Sequence, residues 1–134
     1  IIFANLTISS MFTNSLILCY VNHMLYKGSC HCKSVEIEVE TDLSIIKQCN
    51  CSMCKRKNAK MNILPKENLK VIKGEDHLSV YQFGTNVAKH FFCKTCGIYT
   101  HHQRKSDPSG IGVNIGCFDE VDSFSVESEV LDNK

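Results

Sequence analysis

The sequence has no tryptophan and only two prolines among its 134 residues. Neither an aromatic display surface nor a proline-rich linker is therefore expected. The sequence also lacks an excess of charge of either sign, because 15 basic and 14 acidic side chains leave a formal net charge of +1. So small a net charge gives no strong attraction to nucleic acid or to an anionic membrane, and we expect neither as a partner.

The N-terminal part of the chain lacks charge altogether, since the first Lys, Arg, Asp or Glu is Lys27. Its longest apolar run, residues 16–21, is much shorter than the roughly 20 residues of a membrane-spanning helix. A secretory signal would begin with positive charges. We expect residues 1–23 to be a non-native or disordered extension, with Met24 as the natural start, and residues 24–134 to form one domain. The alternative is an N-terminal arm that is poorly ordered or adds a strand.

Cysteine, in contrast, is abundant, with nine residues. Seven of them form three tight clusters: Cys30 and Cys32; Cys49, Cys51 and Cys54; Cys93 and Cys96. A disulfide framework is one interpretation, but cysteines one or two residues apart are badly placed to bridge each other and well placed to share a metal ion. We therefore expect metal ligation, and a cytoplasmic protein whose thiols stay reduced.

The periodicity of the chain is mostly that of strands. Residues 35–40 alternate apolar and charged side chains, which is typical of a half-buried strand. Further strands are predicted at residues 61–64, 69–72, 78–83, 90–92, 98–102 and 111–115, with a turn at 107–110. Single helical turns are predicted at residues 43–47, 53–60 and 65–68, and a last strand with a solvated tail after residue 119. The expected fold is a mainly β domain of short strands, in which metal sites replace part of the core.

The segment Cys93-Lys94-Thr95-Cys96-Gly97 has the spacing of a zinc knuckle, in which two sulfur atoms face one ion. A redox pair is the alternative, but the βαβ context of a thioredoxin-like protein is missing. Zinc takes four ligands, so seven cysteines complete one site and leave the other with an open position for water or a substrate atom. Two zinc ions are therefore expected.

Spacing permits two divisions of the seven cysteines. In the first, Cys51 and Cys54 join Cys93 and Cys96 in a zinc ribbon, which leaves the other three. In the second, Cys30 and Cys32 join Cys93 and Cys96, and three cysteines within six residues form the other site. Sequence spacing does not decide between them.

Three motifs together carry a resemblance to a known family: Gly28-Ser29-Cys30-His31-Cys32, Cys49-Asn50-Cys51-Ser52-Met53-Cys54 and Phe92-Cys93-Lys94-Thr95-Cys96-Gly97. Their order resembles the glutathione-dependent formaldehyde-activating enzymes and their relative centromere protein V. The likeness continues through residues 97–102 and 112–117 and covers about residues 26–125. It implies an Mss4-like small β-sandwich organised around zinc sites. It also implies a structural zinc on Cys30, Cys32, Cys93 and Cys96, and a second, open zinc site on Cys49, Cys51 and Cys54.

The reaction that the resemblance implies joins formaldehyde to the thiol of glutathione, giving S-hydroxymethylglutathione, so that the protein would be a carbon–sulfur lyase with a small thiol as its partner. An alternative is a non-enzymatic zinc domain that acts as a binding module, as the centromere relative suggests. A third is a redox or metal-buffering role for the three-cysteine site.

Three residues are candidates for a catalytic role. His101 and His102 alternate along a predicted strand, so only one of them can face a given site as a donor or proton carrier. Arg104 has the geometry to bind a carboxylate of a glutathione-like ligand, although a solvated arginine is the ordinary interpretation.

A basic cluster follows the second motif and consists of Lys55, Arg56, Lys57 and Lys60. It either attracts an anionic substrate or is a solvated face. Cys117 is expected to be a small core residue, and Cys19 to belong to the extension.

Overall fold

A computed structural model of the chain describes residues 23–134, and the predicted extension, with Cys19, lies outside the described residues except for His23. The described part is mainly β, as predicted, with a single short α-helix, α1 (Cys54–Lys57). None of its helices is long and apolar enough to cross a membrane. The strands are β1 (Met24–Ser29), β2 (Glu36–Thr41), β3 (Ile46–Cys49), β4 (Met61–Pro65), β5 (Leu69–Lys73), β6 (Leu78–Tyr81), β7 (Lys89–Cys93), β8 (Tyr99–Gln103), β9 (Gly110–Asn114) and β10 (Glu129–Leu131).

Within residues 23–134 the strands form two sheets. The smaller sheet has the order β1-β2-β5, and the larger has the order β10-β3-β4-β9-β8-β7-β6. Neighbouring strands are antiparallel, except that β10 runs parallel to β3. The two-sheet architecture confirms the predicted fold class.

The core lies between the two sheets. On β2, Ile37 and Val39 are buried whereas the glutamates that alternate with them are less so, which is the alternation that the sequence predicts. The larger sheet and the segment after it contribute Val113, Ile115 and Phe118 to the same cluster. Burying side chains of this size stabilises a fold by about 1.5–3 kcal/mol each.

The short helical turns were predicted with mixed success. The turn at residues 65–68 is confirmed as a 3-10 turn, Lys66–Asn68, and residues 53–60 contain α1. The helical turn predicted at residues 43–47 is wrong, because β3 begins at Ile46. Ile46 is buried in the core, and its strand lies between β4 and β10, so pairing on both sides outweighs the local helical propensity.

Gly74 occupies a backbone position that other residues adopt poorly, with a φ of +76° in the turn after β5. A Cβ atom here would overlap the carbonyl oxygen of Ser34. We expect Gly74→Ala to lower the free energy of unfolding by roughly 3 kcal/mol or more, because left-handed strain and a backbone clash add together. Gly84 is the matched control: its φ is +60° but the space around it is open, so Gly84→Ala should cost only about 1 kcal/mol. Denaturant titration measures both, and equal losses would contradict the role given to the Ser34 contact.

His101 is a buried polar residue on β8, only 6% exposed. Its ring stacks on that of Phe91, with centroids 4.4 Å apart, and its Nδ1 lies 2.9 Å from the Thr100 hydroxyl. Burial lowers the pKa of His101 to about 4, so the folded chain keeps this imidazole neutral.

Since the pKa of an unfolded histidine is about 6.5, between pH 4 and 6.5 the unfolded chain binds more protons at His101 than the folded chain does. The free energy of unfolding should therefore fall as the pH falls through this window, with His101 contributing up to roughly 1.4 kcal/mol per pH unit. We expect His101→Gln to have a shallower slope than the wild type. Denaturant titrations at several pH values give the slopes; identical slopes for the two proteins would contradict this account.

Candidate metal centres and the adjoining cavity

The first centre brings together four cysteines from two distant turns. Cys30 and Cys32 follow β1, while Cys93 ends β7 and Cys96 lies in the turn to β8. Their sulfur atoms all lie within 4.8 Å of one another, with Cys30 to Cys32 at 3.6 Å and Cys32 to Cys93 at 3.7 Å. Four thiolates at about 2.3 Å from a tetrahedral ion would be about 3.8 Å apart, whereas bonded disulfide sulfurs are about 2.05 Å apart. These four cysteines are free and can hold a metal ion.

Two residues with positive φ shape the turns of this centre. Lys33, with a φ of 63°, turns the chain back so that the N–H of Val35 donates to the Cys30 sulfur at 3.3 Å. Gly97, with a φ of 76°, closes the second turn, and its N–H donates to the Cys93 carbonyl oxygen at 2.7 Å. The sulfur atoms therefore converge because of the backbone conformation.

The thiols of this centre differ in their readiness to ionise. Burial raises the pKa of Cys30 to about 11. Burial also acts to raise the pKa of Cys96, but backbone N–H groups of Cys32 and Ile98 outweigh it and bring the value to about 6. A bound cation favours the thiolate at every member of such a cluster.

The second centre is local. Cys49 ends β3, Cys51 follows in the loop, and Cys54 begins α1. The three sulfur atoms lie within 4.8 Å of one another. Backbone N–H groups hold two of them, from Cys51 to the Cys49 sulfur at 3.5 Å and from Cys54 to the Cys51 sulfur at 3.4 Å. The structure thus groups the cysteines as four and three in the second of the two divisions that spacing permits, and a tetrahedral ion at the three-cysteine centre would have one position left.

The C-terminal strand secures the loop of the three-cysteine centre. In the parallel pairing of β10 with β3, Leu131 lies opposite Cys49, and its carbonyl oxygen accepts from the N–H of Asn50 at 3.2 Å. The side chain of Asn50 donates to Asp132 at 3.0 Å, and that of Asn133 donates to the Cys49 sulfur at 3.3 Å. A hydrogen bond from outside the ligand set is a common way to orient a metal ligand.

Lys57, one turn after Cys54 on α1, provides an independent test of whether the centre suits a metal. Its ammonium nitrogen is buried and has no hydrogen-bond partner among residues 23–134. Burial lowers its pKa to about 8, while the thiolates of Cys54 and Cys51 act in the opposite direction. A buried charge without a counter-charge is costly. Three thiolates around a divalent cation carry a net charge of −1, so an ion at this centre fits the unpaired ammonium.

Tyr99 and His102, both on β8, position Lys57. The Lys57 nitrogen lies over the Tyr99 ring, 3.3 Å from its centroid, in a cation–π contact. The Tyr99 hydroxyl is 2.6 Å from Nδ1 of His102. Burial raises the pKa of Tyr99, with the thiolates of the three-cysteine centre acting in the same direction, and burial lowers the pKa of His102 to about 3. At neutral pH this pair is therefore an uncharged support for the ammonium.

A cavity of about 610 Å³ lies between the two centres. Met53 and Lys57 line it from the loop and helix of the three-cysteine centre, while Gly97 and Ile98 line it from the turn of the other. The remaining walls come from Ala59, Tyr81, Phe92, Tyr99 and Asn114. A cavity of this size is ordinary for a small-molecule site.

The predicted catalytic candidates lie in different surroundings. His102 contacts Tyr99 behind the cavity, whereas His101 stacks on Phe91. Arg104 follows β8 at the turn that ends at Gly110 and does not line the cavity. Their catalytic roles remain predictions.

Sequence reasoning missed three residues of the site. It assigned Lys57 only to a basic cluster, although a spacing of three from Cys54 is the helical signal that places both on one side of a turn. It gave no role to Tyr99, which depends on how β8 pairs with its neighbours, or to Asn133, which depends on β10. No local pattern reveals the last two.

The comparisons with known proteins extend over most of the chain. The family model described as glutathione-dependent formaldehyde-activating enzyme matches residues 25–132. Among solved structures, the chain is similar to a Rhodobacter sphaeroides protein whose crystal structure comes from a structural genomics programme. The two are 44% identical with a TM-score of 0.75, and the match covers 78% of this chain and 99% of that one. The chain therefore belongs to the family of glutathione-dependent formaldehyde-activating enzymes.

Proposed function

We propose that the protein binds two zinc ions, one in each cysteine centre. All-cysteine donor sets suit zinc, and the sulfur separations of 3.6 and 3.7 Å match the edges of a zinc–thiolate tetrahedron. The four-cysteine centre would be closed and structural, tying the β7–β8 hairpin to the turn after β1. The three-cysteine centre would keep one position for a ligand from solution.

We further propose that the three-cysteine centre catalyses the addition of a thiol to an aldehyde, with glutathione as the thiol and formaldehyde as the aldehyde that the family description indicates. The observation that carries this proposal is the position of an incomplete ligand set beside a cavity of ligand size. When bound, zinc favours the thiolate form of a thiol, which is otherwise mostly protonated and weakly nucleophilic at neutral pH.

The residues around the centre would each perform one part of the reaction. Cys49, Cys51 and Cys54 hold the ion and are not nucleophiles. Lys57 places a positive charge near the carbonyl oxygen, where negative charge develops as the carbon–sulfur bond forms. Tyr99 holds that ammonium in place through its ring, and the exposed Lys55 and Arg56 on α1 offer cations to the carboxylates of glutathione.

Metal analysis of single variants tests the two-zinc proposal. We expect the wild type to carry two zinc ions per chain and Cys51→Ser to carry one, since a hydroxyl is a poor substitute for a thiolate. Cys93→Ser should lose the structural ion and with it much of the folding free energy. The matched control is Cys117→Ser, which changes a buried cysteine outside both centres and should keep two ions. Two ions in Cys51→Ser, or none in reduced and folded wild type, would contradict the assignment.

Kinetics of adduct formation test the proposed reaction. Glutathione and formaldehyde combine without a catalyst, so the informative quantity is the rate above the uncatalysed rate, followed by NMR of the S-hydroxymethyl group. We expect zinc-loaded wild type and Cys117→Ser to accelerate the reaction, and Cys51→Ser to lose at least 90% of that acceleration. If all three proteins leave the rate at its uncatalysed value while binding metal as expected, the protein is a zinc-binding module and not this enzyme.

A further inference from the structure

The cavity beside the three-cysteine centre is mostly apolar at its walls. Side chains of Met53, Tyr81, Phe92 and Ile98 provide carbon surface, and Ala59 adds a methyl group. The pairing of β6 with β7 fixes the positions of Tyr81 and Phe92 relative to each other, because Tyr81 pairs with His90 and Ser79 pairs with Phe92. Where an occupant of this open cavity contacts the chain, it would therefore meet mostly hydrocarbon.

Two of the polar side chains at the cavity, those of Asn114 and Tyr99, are already engaged within the described part of the chain. Asn114 donates to the Tyr99 carbonyl oxygen at 2.8 Å and accepts from the N–H of Gly116 at 3.0 Å. The Tyr99 hydroxyl is paired with His102, whereas the Lys57 nitrogen lies over the Tyr99 ring without a hydrogen-bond partner among residues 23–134. A ligand with one polar group can meet Lys57, but several polar groups would leave most of them without partners here, which is costly.

Neither formaldehyde nor glutathione, the two reactants in the family's name, suits a large apolar cavity. Formaldehyde has two non-hydrogen atoms, whereas a volume of about 610 Å³ is many times the roughly 30 Å³ of a water molecule. Glutathione has two carboxylates and an ammonium group, and these belong near solvent and the exposed basic side chains of α1. What remains is the substituent of a larger aldehyde.

We propose that, besides formaldehyde, the site accepts and prefers aldehydes with an apolar, aromatic or branched substituent that packs in this cavity while glutathione supplies the thiol. This inference rests on the proposed thiol–aldehyde reaction and extends it to a second class of aldehyde. Charge complementarity supports it, because Lys57 is the single charged residue at the cavity wall among residues 23–134 and lies on the same short helix as Cys54, so its ammonium is placed where the carbonyl oxygen would gain negative charge. The reaction is a simple addition: the carbon–sulfur bond forms, the carbonyl π bond breaks and the thiol proton ends on oxygen, with no change of oxidation state overall.

Two neighbours on β6 provide a matched pair of variants. Tyr81 and Val80 are 48% and 47% exposed, but Tyr81 lines the cavity and Val80 points to the other face of the sheet. Because both side chains are exposed, we expect Tyr81→Ala and Val80→Ala to fold. A difference in activity between the two variants therefore reports on the cavity.

The experiment compares kcat/KM for formaldehyde, acetaldehyde and phenylacetaldehyde, each with glutathione and zinc-loaded protein, after subtraction of the uncatalysed rate. We expect phenylacetaldehyde to be preferred over acetaldehyde by at least tenfold. Tyr81→Ala should reduce this preference at least fivefold, and Val80→Ala should change it less than twofold. Catalysis of formaldehyde addition with no preference for the larger aldehydes would overturn this inference and leave the proposed function intact.

A binding measurement complements the rates. Benzyl alcohol has the aromatic ring without the reactive carbonyl, and saturation-transfer NMR should detect its binding to wild type and Val80→Ala but much more weakly to Tyr81→Ala. Equal signals for the two variants would overturn the placement of the ring. Absence of catalysis with every aldehyde would overturn the proposed function and the inference together, whether or not the ring binds.

Discussion

Crowding of sulfur atoms is the constraint on which the rest of this structure depends. Four cysteine side chains from turns about 60 residues apart meet within 4.8 Å, where thiolates would repel one another and thiols have little reason to gather. A divalent cation at their centre would remove that conflict and would tie the turn after β1 to the β7–β8 hairpin. Because the four cysteines are distant in the chain, binding of such an ion and formation of the two-sheet core would be coupled.

The two cysteine centres use thiol groups in different ways. The first brings together separate parts of the fold and offers four thiols, a full set for a tetrahedral ion. The second is built from six consecutive residues and held by β10, and it adjoins both a cavity and the buried ammonium of Lys57. A stable scaffold with an incomplete ligand set at its edge is what a metal-dependent reaction requires, since the open position is where a substrate meets the ion.

Much of the fold could be predicted from local patterns. The alternation on β2 and the turn residues at 107–110 reflect burial on one face and backbone preference, which are properties of neighbouring residues. The strand β3 could not be predicted, since Ile46 owes its conformation to pairing with strands that are distant in sequence. The cysteine spacing in turn predicted ligation but left two divisions open, because the choice depends on which turns the sheets bring together. The supporting contacts of Tyr99 with Lys57 and His102 depend on the same register, so they too follow only from the folded chain.

Anomalous X-ray diffraction at the zinc absorption edge, on crystals of reduced protein grown without chelator, tests the central claim most directly. The account predicts two peaks per chain. One should lie about 2.3 Å from the sulfur atoms of Cys30, Cys32, Cys93 and Cys96, and the other at the same distance from those of Cys49, Cys51 and Cys54. A folded chain with no peak among either set of cysteines, or with disulfide bonds in their place, would contradict it.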